Sequence, residues 1–167
     1  MDKNELKSKL KQALKTYDIC SKIYIEYTEN KLFQFQLTKF ASMLPDKGKI
    51  LDAGCGEGHL LEKLNAKNNS HRYYGIDFAD ISIEESKKRC PSAEIKKMSL
   101  AQIDYEADFF DVVTCTEVLE HVKEYEIVLK ELKRVVKKEG YLIITFPNEV
   151  LWTLSRFLLG RKPIIDL

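Results

Sequence analysis

Glycine stands at every second position from 54 to 58 in the stretch Lys49-Ile50-Leu51-Asp52-Ala53-Gly54-Cys55-Gly56-Glu57-Gly58-His59-Leu60. An apolar run that turns acidic and then sheds its side chains reads as a strand passing into a helix through a bare loop. Glycine tolerates positive φ and lets a ligand lie against the main chain. A tight turn alone needs one or two such residues, so three in alternation point to a binding loop. A second carboxylate, Asp77, ends the next apolar run, 19 residues beyond Gly58. Two ligand chemistries use a loop of this kind. In the dinucleotide fingerprint G-x-G-x-x-G/A the third small residue packs helix against strand. Counted from Gly54 that place falls on His59, whose ring is bulky, so an NAD-dependent oxidoreductase is the remote alternative. The other spacing, D-x-G-x-G-x-G, is met by Asp52, Gly54, Gly56 and Gly58.

A second set of reactive side chains is Glu117, Glu120 and His121. On a helix over Glu117–Val122 they would share a face, at i, i+3 and i+4. Such a face could orient an acceptor, house a general base or hold a divalent metal. The plain structural reading is that His121 packs under the loop and the glutamates are solvated, and no metal site is assigned. His59 reads as structural or solvent-facing, and His71 carries no signal. Cys20, Cys55, Cys90 and Cys115 show no C-x-x-C spacing. That pattern suits a reducing, cytoplasmic setting rather than a disulfide framework or a zinc site.

These groups need elements to position them. Leu6, Leu10, Ala13, Leu14 and Tyr17 recur at helical spacing, as do Phe33, Leu37, Phe40, Ala41 and Leu44. An amino-terminal helical cap over 1–44 follows, closed by the turn Pro45-Asp46-Lys47-Gly48. The pattern then alternates, with strands expected at Lys49–Asp52, Arg72–Asp77, Glu94–Met98, Phe110–Cys115 and Tyr141–Phe146. Helices are expected at Glu57–Asn65, Ile81–Arg89, Glu117–Val122 and Tyr125–Lys137, the last ended by Gly140. Strong strands written as continuous apolar runs imply a parallel sheet covered on both faces. Its ligand crevice lies at the carboxyl ends of the strands.

With these motifs in this order, the chain resembles the class I S-adenosylmethionine-dependent methyltransferases, most closely the branch acting on small molecules and quinone-type lipids. The resemblance runs from about Leu37 to Asn148. It rests on Leu51-Asp52-Ala53-Gly54-Cys55-Gly56-Glu57-Gly58, Tyr74-Gly75-Ile76-Asp77, Phe110-Asp111-Val112-Val113, Glu117-Val118-Leu119-Glu120-His121-Val122 and Leu132 to Pro147. It implies an α/β, Rossmann-like three-layer sandwich whose mainly parallel five-stranded sheet has the order 3-2-1-4-5. The core is expected over 45–148, and S-adenosyl-L-methionine is the implied cofactor. By resemblance, Asp77 accepts from both ribose hydroxyls, Phe78 covers the adenine unless it is core, and Asp52 lies near the cofactor's cationic groups. Gly54, Cys55, Gly56 and Gly58 line the same cofactor. Ser99 occupies the place where the family usually carries an acid facing the adenine amino group, so the main chain of Leu100 takes more of that contact. Thr116 and Glu117 fall near the methionine part. Glu117, Glu120 and His121 are the catalytic candidates.

The family usually ends in an antiparallel hairpin, and no such strand pair is visible before Leu167. The fifth strand is then a hydrophobic sheet edge that invites a second copy, another partner or the tail to cover it. The tail, 149–167, carries Val150, Leu151, Trp152, Leu154, Phe157, Leu158 and Leu159 beside Arg156, Arg161 and Lys162. It suits either packing on the core or peripheral contact with a membrane surface. Lys+Arg 27 against Asp+Glu 26 gives a net charge of +1, so no extended nucleic-acid contact is expected. The expected activity is methyl transfer to a small acceptor, an apolar one included. The alternative is a non-catalytic cofactor-binding subunit, or a truncated domain that needs a partner.

Overall fold

The computed structural model describes residue 41 and residues 44–145. The helical cap over 1–44 and the tail over 149–167 lie outside the described residues, apart from positions 41 and 44. So does Phe146, the last residue of the expected fifth strand.

Five strands form one parallel sheet: β1 (Lys49–Ala53), β2 (Arg72–Asp77), β3 (Glu94–Lys97), β4 (Phe110–Thr116) and β5 (Val136–Thr145). Their order is β3-β2-β1-β4-β5, as the resemblance implies. Chain order reverses direction between β1 and β4, and such a switch point opens a crevice above the strand ends. β1 lies at the centre, with Leu51 opposite Tyr74 on one side and Val113 on the other. Ile50, Leu51 and Ala53 are fully buried, because both faces of the sheet are covered by helices.

Three helices supply the cover: α1 (His59–Lys67), α2 (Asp80–Arg89) and α3 (Tyr125–Val135). In α3, Val128, Leu132 and Val135 fall on one stripe and pack with Leu51, Ile76, Phe110 and Val113 into the main core. Leu60, Leu61 and Leu64 form the buried stripe of α1. The aromatic residues Tyr74, Tyr105, Phe109 and Phe110 meet mostly edge to face, with centroids 4.9–5.9 Å apart, the arrangement their quadrupoles favour.

Several boundaries differ from the sequence-based expectation, most by one or two residues, and three differences bear on the architecture. Helix α1 starts at His59 instead of Glu57, since Gly58 has φ 82° and cannot be helical. The segment Glu117–Val122 forms only a 3₁₀ turn, Leu119–His121. Helix α3 ends at Val135, and β5 begins at once at Val136 instead of at Tyr141. Phe110 pairs with Val136 while Val112 pairs with Tyr141, so the strand bulges over Lys137–Gly140. Gly140 therefore lies within the strand's span and does not end the helix. A Cβ there would stand 2.7 Å from the Asp111 carbonyl oxygen, so a close approach of two main chains demands the glycine. Asp111 anchors this corner: its carboxylate accepts from the Lys49 N–H (2.8 Å) and pairs with Lys137 Nζ (2.6 Å). β5 pairs with β4 and, among the described residues, forms the outer edge of the sheet.

No described helix is long and apolar enough to cross a membrane. Cys55, Cys90 and Cys115 are free thiols and buried.

Candidate cofactor and active site

The carboxyl end of β1 puts Asp52 inside the protein at 2% exposure. Thr114, the β4 residue opposite it, donates its hydroxyl to Asp52 Oδ1 (2.9 Å) and to the Leu51 carbonyl (3.2 Å). Burial pushes the Asp52 carboxyl up to about 7; the Thr114 hydroxyl opposes the rise and the charge of Asp77 adds to it. The chain then crosses toward β2, where the N–H groups of Gly54 and Cys55 both donate to the Ile76 carbonyl (2.8 and 3.0 Å). Gly54, Gly56 and Gly58 all have positive φ, at 82°, 50° and 82°, and the three are not equivalent. A Cβ on Gly54 would stand 2.6 Å from Val118 Cγ2, and one on Gly58 would stand 2.5 Å from Ser86 Oγ. A Cβ on Gly56 would meet nothing within 4 Å. Close packing and conformation thus require the outer two glycines, while the middle one faces open space.

Asp77 ends β2 and joins the two strand ends. Its Oδ2 accepts from the Gly56 N–H (3.0 Å) and its Oδ1 from the Ala79 N–H (2.9 Å). Each carboxylate oxygen keeps a second lone pair, so the group can still accept from a ligand. Phe78 follows with 77% of its surface exposed, which removes the core reading for its ring. A carboxylate acceptor, an exposed aromatic face and a loop with an open Cβ direction fit a nucleoside carrying a diol.

Beyond β3, Ser99 is exposed and sits in a turn. Its Oγ accepts from the Ala101 N–H (3.2 Å) and its carbonyl from the Gln102 N–H (3.2 Å). Leu100 is partly buried against the main core. β4 ends at half-buried Thr116. Glu117 then takes φ 55° and is tied to β5: its N–H donates to the Thr145 carbonyl (3.3 Å), and Thr145 Oγ1 donates to Glu117 Oε1 (2.9 Å). Burial raises the Glu117 carboxyl above its ordinary range; the Thr145 hydroxyl opposes that, the Glu120 charge adds to it and His121 opposes it.

The shared helical face of Glu117, Glu120 and His121 is not formed. A left-handed residue cannot belong to the helix, so Glu117 sits at the strand end while Glu120 and His121 lie exposed on the 3₁₀ turn. His121 does not pack under the loop. Among the described residues no three His, Cys, Asp or Glu side chains stand together so as to hold a metal ion. His59 is buried, with Nε2 3.4 Å from Glu57 Oε2. His71, at the opposite end of β2, is buried too, with Nε2 2.7 Å from the Pro45 carbonyl.

Residues 51–144, more than half of the chain, match the family model described as a methyltransferase domain. The chain belongs to that family. The NAD reading gives way to this match. The demethylmenaquinone methyltransferase of Bacillus mycoides is 29% identical to the methyltransferase domain over 133 residues, covering 76% of this chain and 55% of the relative. The mitochondrial ubiquinone biosynthesis O-methyltransferase of Schizosaccharomyces pombe is 35% identical over 125 residues, covering 71% and 42%. The crystal structure of coclaurine N-methyltransferase bound to N-methylheliamine and SAH superposes with a TM-score of 0.59 at 22% identity, covering 65% of this chain and 34% of that one. The chain spans about half the length, or less, of the curated relatives it matches.

Two residues that shape this methyltransferase domain's candidate site did not stand out from residue types alone. Thr114 is a buried polar residue between Val113 and Cys115 in β4, and that break in an apolar run was the available signal for the partner of Asp52. Val118 lies over Gly54, and nothing in its spacing marks it, because the contact exists only once β4 and β1 lie side by side.

Proposed function

We propose that this chain is an S-adenosylmethionine-dependent methyltransferase domain of class I acting on a small, apolar acceptor. The observation that carries the reading is the carboxylate of Asp77, bonded to Gly56 N–H beside an open Cβ direction and an exposed Phe78. In this reading Asp77 accepts from the ribose diol, a charge-assisted contact. Phe78 offers a face to the adenine, and Gly54, Cys55, Gly56 and Gly58 give the cofactor bare main chain. Ser99 and Leu100 border the base, and Thr116 and Glu117 the amino-acid part. Asp52 supplies negative potential from beneath the loop. The apolar acceptor is supported by the two quinone-pathway relatives.

When bound, S-adenosylmethionine supplies an electrophilic methyl carbon on a good leaving group. The chain's own work is then to hold an acceptor in line and to exclude water. An acceptor hydroxyl must also lose a proton. Glu117 serves that need here: its half-buried carboxyl takes up a proton more readily than an ordinary glutamate, and Thr145 holds it in place. Glu120 and His121, exposed on the next turn, orient the acceptor.

Calorimetric titration of the full chain with S-adenosylmethionine, S-adenosylhomocysteine and NAD tests the reading. The first two bind and NAD does not; Asp77→Asn weakens both by at least about tenfold, the order of one charge-assisted contact. Folded protein with no affinity for either adenosyl compound overturns the reading. Methyl transfer to a panel of apolar phenols and quinols separates an enzyme from a domain that only binds the cofactor.

A further inference from the structure

The cofactor loop has a back as well as a front. Its three positive-φ glycines leave the main chain intrinsically loose, yet Gly56 N–H must be aimed at Asp77 within 3.0 Å. Helix α2 presses on the loop from behind with two residues three apart, hence on one face. Ser86 lies against Gly58, and Arg89, the last residue of α2, reaches Glu57, the residue between Gly56 and Gly58. Arg89 Nε donates to the Glu57 carbonyl (3.0 Å). Its other nitrogens stand 3.8 Å from Glu57 Oε2 and 3.5 Å from Glu62 Oε2 on α1. One rigid, forked donor thus ties the loop's main chain to both flanking helices, which a point charge cannot do as well.

We propose that Arg89 is a positioning residue of the cofactor site: by holding the Glu57 carbonyl it sets the loop curvature that brings Gly56 N–H to Asp77, and so governs affinity for the adenosyl ligand without touching it. This inference rests on the proposed function for its ligand, but its structural half stands apart. Removing the guanidinium takes its bond from the Glu57 carbonyl and lets the loop sample other conformations, so the competent geometry is populated less and affinity falls in proportion.

The test is Arg89→Gln in the full chain, read by calorimetry with S-adenosylhomocysteine and by the amide NMR signal of Gly56. The expected result is a loss of affinity of about tenfold, the order of one charge-assisted hydrogen bond. With it, the Gly56 amide should move upfield as its bond to Asp77 loosens. An unchanged affinity overturns the proposal even if the melting temperature drops, since Arg89 would then be a brace only. A weakened affinity with an unmoved Gly56 signal overturns it too. Should Arg89→Gln not fold, Arg89→Lys decides: an ammonium without the fork should cost roughly threefold in affinity and move the same signal, and no change in either refutes the idea. Wild-type protein that binds no adenosyl ligand refutes the proposed function and with it the affinity half of this inference, while the Gly56 signal still decides the positioning half.

Discussion

Asp52→Asn should change how stability depends on pH, and the size of the effect follows from burial. The wild-type carboxyl rises from an ordinary 3.8 to about 7 because it is desolvated beneath the glycine loop. The folded state therefore binds a proton between those values that the unfolded chain has already released. Stability then falls as pH rises through that window, by about 1.4 kcal/mol per pH unit. Below pH 3.8 both states are protonated and the effect is absent; above about 7 both are ionised and the whole penalty, on the order of 4 kcal/mol, remains. Asparagine keeps the shape and an oxygen for the Thr114 hydroxyl but has no charge to bury. Urea unfolding of both proteins at pH 5 and pH 7 isolates the term, since the other titrating groups are shared. Wild type should lose roughly 2 kcal/mol more than the variant over that interval, because the folded carboxyl is already half ionised at its upper end. The same substitution should weaken the cationic S-adenosylmethionine more than the neutral sulfur of S-adenosylhomocysteine. Parallel pH profiles for the two proteins would refute the claim that Asp52 is buried and strained by its charge.

Other perturbations separate the roles of neighbouring residues. Gly56→Ala should cost only about 1 kcal/mol of stability, the price of a left-handed alanine, yet reduce adenosyl-ligand affinity at least about tenfold; Gly58→Ala, which meets Ser86, should cost roughly 2–4 kcal/mol by urea unfolding. Leu132→Ala empties a fully buried place under the sheet and should cost about 2–5 kcal/mol by the same assay. Glu131 is held down to about 2 by Arg134, which also donates to the Ile103 and Tyr105 carbonyls. Its contribution is present above the ordinary 4.5 and lost as pH falls toward 2. Because the pair is partly exposed, Glu131→Gln should cost only about 1 kcal/mol at pH 7, shrinking to nothing near pH 2 in thermal melts.

The sequence alone determined the parallel sheet, its strands and the two carboxylates at their ends. Continuous apolar runs and alternating glycines are local signals, and the physics that produces them is local. Asp52, Gly56 and Asp77 could therefore be named as a candidate set, and the fold brings the Gly56 N–H to Asp77. Tertiary structure decided what depends on distant neighbours. The periodicity of Glu117–Val122 suggested a helix, but the tie of Glu117 to Thr145 on β5 turns that residue left-handed and separates it from Glu120 and His121. Gly140 looked like a helix stop, yet it answers to the Asp111 carbonyl on β4. Which glycine faces the open crevice, and which pack against Val118 and Ser86, follows from strands and helices that meet only after the chain has folded. Spacing can announce a loop built for a ligand; the packing around it determines which of its atoms the ligand can reach.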